Sequence, residues 1–245
     1  MMTSKESLTL CSLLFETKPN YEENLQTLLS LVEKTSKNSF ILAHEVSLTG
    51  FDYTNMEKAL AFSVNATKAL LHASSERCII TSMLENIDGK VFNLVKVFYK
   101  GKVVHQRAKA RLFRLGKEHK YMSEGVDEPV EIIKVAGVKI AFLICFELRF
   151  KELWKRCEGA DIIFIPSWWG KPRAKHFRLL TQTLAIMNEC YVIASDGKNR
   201  DCTALSAIIT PQGEAHYNGN KPCLERVYDK KEITKMRRYL NIGIE

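Results

Sequence analysis

At 245 residues, with 46% apolar and 26% charged side chains, the chain suits one large α/β domain or two small ones, and it carries too much apolar surface for an intrinsically disordered chain. No run of about eighteen apolar residues occurs, which argues against a transmembrane helix, and residues 1–7 lack the basic start, apolar middle and small-residue cleavage site of a secretory signal. The formal charge of +8 would admit an anionic partner, but no nucleic-acid motif accompanies it, so the excess reads as a solvated basic surface.

In chain order, residues 7–15 read as a strand, and Asn20 stands where a helix cap would. Behind it Tyr21, Leu25, Leu28, Leu29 and Val32 recur at helical spacing. Residues 39–43 form a short apolar strand that ends in His44-Glu45. A second helix covers 56–75. Strands follow at 77–83 and 91–99, and the Lys100-Gly101 turn returns a strand over 102–106. Residues 107–128 are charged and without period, the profile of a long functional loop. Strands at 130–135 and 138–144 flank an Ala136-Gly137 turn, the second ending at Cys145. A short helix over 151–158, a strand at 161–165 and a helix over 172–189 come next. The last of these shows Phe177, Leu180, Leu184 and Met187 on one face. Strands at 191–195, 203–210 and 223–228 and a basic helix over 230–240 close the chain. No linker or repeat divides it, so residues 1–245 read as a single layered α/β domain.

Seven cysteines, Cys11, Cys78, Cys145, Cys157, Cys190, Cys202 and Cys223, contain no C-x-x-C pair. Neither a disulfide framework nor a zinc site is expected, and reduced thiols in the cytoplasm are.

Three apolar strands end in a polar group: Glu45 after residues 40–43, Cys145 after 140–144, and Ser167 after 162–166. In α/β folds strand carboxyl ends converge on sites. Singly, each residue reads as core or surface; such a cysteine is most often an inert core thiol. Together they carry a pattern. His44-Glu45-Val46-Ser47-Leu48-Thr49-Gly50-Phe51, then Lys109-Ala110-Arg111-Leu112-Phe113 with Glu118-His119-Lys120-Tyr121 and Glu124-Gly125, then Cys145-Phe146-Glu147-Leu148-Arg149-Phe150, resemble the three motifs of the nitrilase superfamily of carbon–nitrogen hydrolases. The resemblance runs from the first strand to the last helix, with further agreement at residues 161–168, 176–191 and 211–213.

It implies a four-layer α-β-β-α sandwich and a Glu–Lys–Cys triad that hydrolyses a non-peptide C–N bond of a small carboxylic acid through a thioester. Glu45 would be the base, Cys145 the nucleophile and Lys109 the oxyanion charge. Glu118 would be the second glutamate beside the lysine, orienting Lys109 or the substrate. The backbone N–H of Phe146 would be a further oxyanion donor. Arg149 looks like a structural ion-pair partner behind the nucleophile. Arg173 and His176 are candidates for substrate contact, and Trp168 and Trp169 for pocket walls. No metal or organic cofactor is needed, because cysteine, glutamate and lysine supply nucleophile, base and charge. The implied partners are a small amide substrate and further copies of the chain, as a homodimer or higher oligomer, without nucleic acid or membrane.

The stretch from Leu112 to Tyr121 looks most like the ω-amidase type. N-carbamoyl amine or amino acid hydrolysis is the near alternative, and a non-catalytic binding protein on the same scaffold is the rival from another class. The sequence departs from the family where His44 replaces the usual proline, Arg111 a common histidine and Lys151 a proline, and where Asp196 stands near a common asparagine.

Overall fold

The computed structural model describes residues 7–125 and 130–244. Of the polar start read at 1–7 only Ser7 is among them, and residues 126–129 of the 107–128 segment lie outside.

The first half builds β1 (Thr9–Leu13), α1 (Tyr21–Lys34), β2 (Ser39–Leu42), α2 (Met56–Ala73), β3 (Cys78–Ile87), β4 (Lys90–Tyr99) and β5 (Lys102–Ala108). The helix α1 begins where it does because the Asn20 side chain accepts from the amides of Glu22 (3.0 Å) and Glu23 (3.3 Å), and those two acids complement the helix dipole. The second half builds β6 (Ile133–Val135), β7 (Val138–Phe142), α3 (Lys151–Arg156), β8 (Ile162–Ser167), α4 (Ala174–Asn188), β9 (Tyr191–Asp196), β10 (Ala207–Ile209), β11 (Ala215–Tyr217), β12 (Cys223–Val227) and α5 (Lys230–Leu240).

Two six-stranded mixed sheets result, in the orders β12-β1-β2-β3-β4-β5 and β11-β10-β9-β8-β7-β6. In each, three parallel strands linked by helical crossovers form the middle, β1-β2-β3 and β7-β8-β9, and antiparallel strands extend the flanks. Alternation along the strands sorts the side chains. Leu10, Phe40, Leu42, Ile80 and Val97 join the core between the sheets, whereas Cys11, Leu13, Ile41, Ile79 and Phe98 pack against α1 and α2. Phe40 meets Phe164 edge-on across the interface, ring centroids 6.1 Å apart. Phe177 and Leu184 of α4 cover the second sheet. The layering is α-β-β-α, as the motifs imply.

Hydroxyls also bind the sheets together. Ser12 Oγ donates to the Ala194 carbonyl and Ser195 Oγ to the Leu13 carbonyl, both at 2.7 Å and fully buried. The parallel strands β7, β8 and β9 end at one edge of their sheet, and the Glu45 amide donates to the Ser167 carbonyl at 3.3 Å, which brings the end of β2 to the same edge of the sandwich.

Several elements differ from the sequence expectation for local reasons. The strand expected to end at Cys145 stops at Phe142, and Cys145–Arg149 is a 3-10 turn. Strand β5 runs on to Ala108, and two further 3-10 turns, Arg114–Gly116 and Glu118–Lys120, order the loop behind it. The strand expected at 203–210 shrinks to Ala207–Ile209, since the Thr203 amide binds the Asp196 carboxylate instead of a ladder. The short β11 carries no alternating apolar signal. Met187 is 56% exposed, lying roughly 80° off the Phe177 line at about 100° per residue. Among the described residues no helix is long and apolar enough to cross a membrane.

Candidate active site

Glu45 follows β2 and is completely buried. Its Oε1 accepts from Lys109 Nζ at 2.7 Å and from Asn93 Nδ2 at 2.8 Å; its Oε2 accepts from the Trp168 amide at 3.0 Å. The next residue, Val46, adopts φ 42°, a conformation that a β-branched side chain strongly disfavours. Its amide is held by Ser82 Oγ at 2.8 Å, and Gly50 N–H closes the turn onto the Val46 carbonyl at 2.7 Å.

Lys109 follows β5 and is likewise fully buried. Its ammonium lies between two carboxylates, Glu45 at 2.7 Å and Glu118 at 2.9 Å. Burial alone would lower the lysine pKa, but the two carboxylates outweigh it and raise the pKa above the ordinary value. Gly125 fixes the loop behind it. Its N–H binds the Lys109 carbonyl at 2.9 Å, and a Cβ there would stand 2.6 Å from Ala108 Cβ and 2.9 Å from the Ala108 carbonyl, so only glycine closes this turn. Glu118 uses its second oxygen to accept from the Phe113 amide at 2.9 Å. Burial pushes the Glu118 carboxyl up, against the pull of Lys109.

Cys145 comes from the second sheet and opens its 3-10 turn at φ 46°, another left-handed non-glycine residue. Such strain persists only where surrounding bonds over-determine it. Here they come from Glu147, whose carboxylate accepts from the amides of Ile144 (2.7 Å) and Ala110 (2.5 Å) and from both Arg107 nitrogens (2.9 and 2.6 Å). One buried carboxylate thus ties the turn that bears Cys145 to the segment that bears Lys109. The Cys145 thiol is pushed well above its usual pKa, by burial first and the Glu45 carboxylate second; Lys109 and the Trp168 amide oppose this. Phe146 N–H sits in the first turn of the 3-10 segment, where amides have no intrahelical acceptor.

A small cavity of about 20 Å³, room for one water, opens onto Cys145, lined by Phe113, Phe146, Trp168, Trp169, Arg149 and Arg173. The guanidinium of Arg173 lies 5.2 Å over the Phe113 ring and that of Arg149 lies 4.9 Å over the Trp169 ring. Neither forms an ion pair among the described residues, and burial and the neighbouring Arg173 lower the Arg149 pKa. The structural ion pair expected of Arg149 is made instead by Arg107 and Glu147, because Arg149 points to the cavity. His176 is exposed and off the cavity wall; its Nδ1 meets Arg149 at 3.1 Å.

The Trp168-Trp169 loop is held by Asp196 at the end of β9. Its carboxylate accepts from the Trp169 and Thr203 amides, both at 2.8 Å, and from the Thr203 hydroxyl. Burial raises its pKa to about 7 despite these donors. His44, in the usual proline position, is buried, lies tilted against the Phe15 ring and bonds Thr17 Oγ1 at 2.8 Å; burial lowers its pKa to about 3, so it stays neutral.

Of the residues the sequence reading named, Cys145, Phe146, Trp168, Trp169 and Arg173 line this cavity, Glu45, Lys109 and Glu118 form the buried charge cluster beside Cys145, and His176 stays outside. That reading missed Asn93, Arg107, Glu147 and Asp196 as parts of the site. Glu147 lay in the nucleophile motif and Asp196 among the departures, both without an assigned role, and Asn93 was visible as an asparagine inside the apolar run 91–99.

Glu147→Gln would leave Arg107, 2% exposed, without its Glu147 counter-charge. A loss of about 3–5 kcal/mol in chemical denaturation is expected; a loss under about 1 kcal/mol would count against the pair as the brace of this turn. Asp196 gives a pH signature. Its folded pKa of about 7 exceeds the unfolded value of roughly 3.9. Its stabilising contribution is therefore full below about pH 4 and lost as pH rises through 7. Relative to Asp196→Asn, which does not titrate there, wild-type stability should fall by up to about 4 kcal/mol between pH 4 and 8. A pH-independent difference would refute this.

Comparison with known proteins places this geometry in context. Residues 9–218 match the carbon-nitrogen hydrolase family. The chain is 30% identical over 212 residues to the 2-oxoglutaramate amidase of Bacillus subtilis (strain 168), covering 81% of each. It is 28% identical over 144 residues to the omega-amidase YafV of Escherichia coli (strain K12), covering 57% of this chain and 56% of that protein. A mutant of the amidase from Nesterenkonia sp. AN1, seen with the acetamide moiety of fluoroacetamide added covalently at its active site cysteine, superposes with a TM-score of 0.81 at 14% identity, over 98% of both chains.

Proposed function

We propose that this chain, which belongs to the carbon–nitrogen hydrolase family, hydrolyses the side amide of a short dicarboxylic acid monoamide through a Cys145 thioester and releases ammonia. The observation that carries the reading is a buried Glu45–Lys109–Glu118 cluster beside Cys145, under a small cavity rimmed by two arginines without carboxylate partners among the described residues. Two bacterial relatives named as amidases of this kind support it.

In this mechanism Glu45 takes the thiol proton as Cys145 Sγ attacks the amide carbon. A pre-formed thiolate is not required, in keeping with a thiol pKa raised by burial and by Glu45. The oxyanion forms between Lys109 Nζ and the Phe146 N–H; a donor of this kind contributes about 3–4 kcal/mol. Glu45 returns the proton to the departing nitrogen, ammonia leaves, and Glu45 then draws a proton from the water that cleaves the thioester. Glu118 holds Lys109 in place. Arg173 grips the far carboxylate, Trp168 walls the acyl chain, and His176 acts on the pocket through Arg149.

We also read residues 1–245 as one catalytic domain and the protein as a cytoplasmic homo-oligomer. Seven free thiols support the first location. Exposed Leu179, Ile186 and Met187 on α4 support burial of that helix against a second copy.

Ammonia release from a panel tests the substrate class. Short dicarboxylic monoamides should release it, and Cys145→Ala should lower the rate to background. Release from N-carbamoyl amino acids or nitriles alone would move the enzyme to another branch, and silence with folded protein would remove the amide reading. Arg173→Met should lower kcat/KM for the carboxylate-bearing amide by about 10- to 100-fold, the worth of a charged hydrogen bond, with much less effect on an uncharged amide of equal length. Equal losses on both would place Arg173 outside the carboxylate grip.

A further inference from the structure

We propose that Cys11 and Cys223 are a modification site, a dithiol that closes to a disulfide by exchange with a small disulfide of the glutathione type. The pair belongs to the flank of the first sheet and is separate from Cys145. Strands β1 and β12 are antiparallel, with Cys11 opposite Glu225 and Leu13 opposite Cys223. Cys223 and Glu225 are two residues apart, so they share a face of β12, and the register puts Cys11 on that same face. The two Sγ atoms stand 2.7 Å apart.

That spacing decides between the two chemistries open to such a cluster. Cys11, Cys223 and Glu225 together could offer three ligand atoms to a thiophilic metal. Two thiolates on one tetrahedral zinc, each at about 2.3 Å, would lie roughly 3.8 Å from each other. A disulfide needs about 2.05 Å. The sulfurs are closer to bonding distance than to ligand distance. Glu225 is moreover engaged by the Ser36 amide at 2.9 Å.

Access is graded. Cys11 is fully buried under α1, in the apolar cluster beneath that helix, whereas Cys223 is half-buried at the sheet edge. Burial, then Cys223 and Glu225, also hold the Cys11 thiol protonated. The order of events follows. The Cys223 thiolate attacks one sulfur of the small disulfide, forming a mixed disulfide and expelling one thiolate. Cys11 gives its proton to that leaving thiolate, and its sulfur then displaces the second small thiol from Cys223. Two cysteine thiols are oxidised, one small disulfide is reduced to two thiols, and no other oxidant is consumed. Among the described residues no other Sγ pair is hydrogen-bonded; Cys157 and Cys190 act on each other electrostatically only.

The full-length chain is incubated with oxidised glutathione, remaining thiols are alkylated, and unreduced peptides are mapped by mass spectrometry. The expected result is a Cys11–Cys223 linked peptide and the loss of two titratable thiols from seven, both reversed by dithiothreitol. Cys11→Ser should trap glutathione on Cys223, which shows the order of attack even if Cys223→Ser folds poorly. Glutathione that stays on Cys223 in the wild type, or absence of the link while Cys11→Ser takes up glutathione, would overturn the proposal. So would zinc ions that bind stoichiometrically and shield both thiols from alkylation, which would make the cluster a metal site.

Discussion

A buried ammonium is the constraint around which the rest of this molecule is arranged. Lys109 has no exposure, and moving such a charge out of water costs several kcal/mol even after relaxation. It is tolerable only because Glu45 and Glu118 contact it at 2.7 and 2.9 Å, and because those carboxylates are themselves filled by Asn93, the Trp168 amide and the Phe113 amide. These partners come from β4, from the loops after β2 and β8, and from the loop behind Lys109. Both sheets therefore have to stand in register before the charge is satisfied. The hydroxyl–carbonyl bonds between β1 and β9 fix that register from within the interface.

A second buried pair repeats the logic two residues upstream. Arg107 and Lys109 are at i and i+2, so the end of β5 delivers two cations to one side. The first meets Glu147, the second Glu45 and Glu118. Glu147 also takes the amides of Ala110 and Ile144, which makes it a positioning residue shared by the lysine segment and the cysteine turn. The left-handed backbones of Val46 and Cys145 are strained points of this frame; the first follows Glu45 and the second carries the proposed nucleophile. Strain of this kind is stable only inside a network that cannot relax one member at a time.

How much of this was legible beforehand follows from what each residue's neighbours are. The crossover helices and central strands carry strong periodicity, and α5 and the start of α1 lie where capping and spacing put them. Glu45, Lys109, Glu118 and Cys145 were legible because motifs mark them along the chain. Arg107 was not, since β5 alternates half-exposed and exposed positions up to Gln106 and reads as a surface strand. Arg149 was misassigned because the arginine nearest the nucleophile in sequence is not the one nearest Glu147 in space. Thr203 looked like a strand residue, and only the Asp196 carboxylate shows why it is not. The Cys11–Cys223 contact joins residues 212 apart and depends on strand register alone.

The two buried cations also constrain which group moves protons in the proposed reaction. Lys109 has a pKa raised by its carboxylates, so it keeps its proton at every step and can only stabilise charge. Cys145 has a thiol raised by burial and by Glu45, so it holds its proton until attack. His44, although it directly precedes Glu45, is pushed down to about 3 and stays neutral. The shuttle falls to Glu45, whose two oxygens face Lys109 and the Trp168 amide. When Glu45 gains the thiol proton, the ammonium loses one of its two counter-charges, and the developing oxyanion replaces it. The charge count around Lys109 thus stays nearly constant through acylation. A buried ion cluster can serve catalysis in this way without being solvated anew at each step, because the field that holds it in the resting enzyme is the one that the transition state completes.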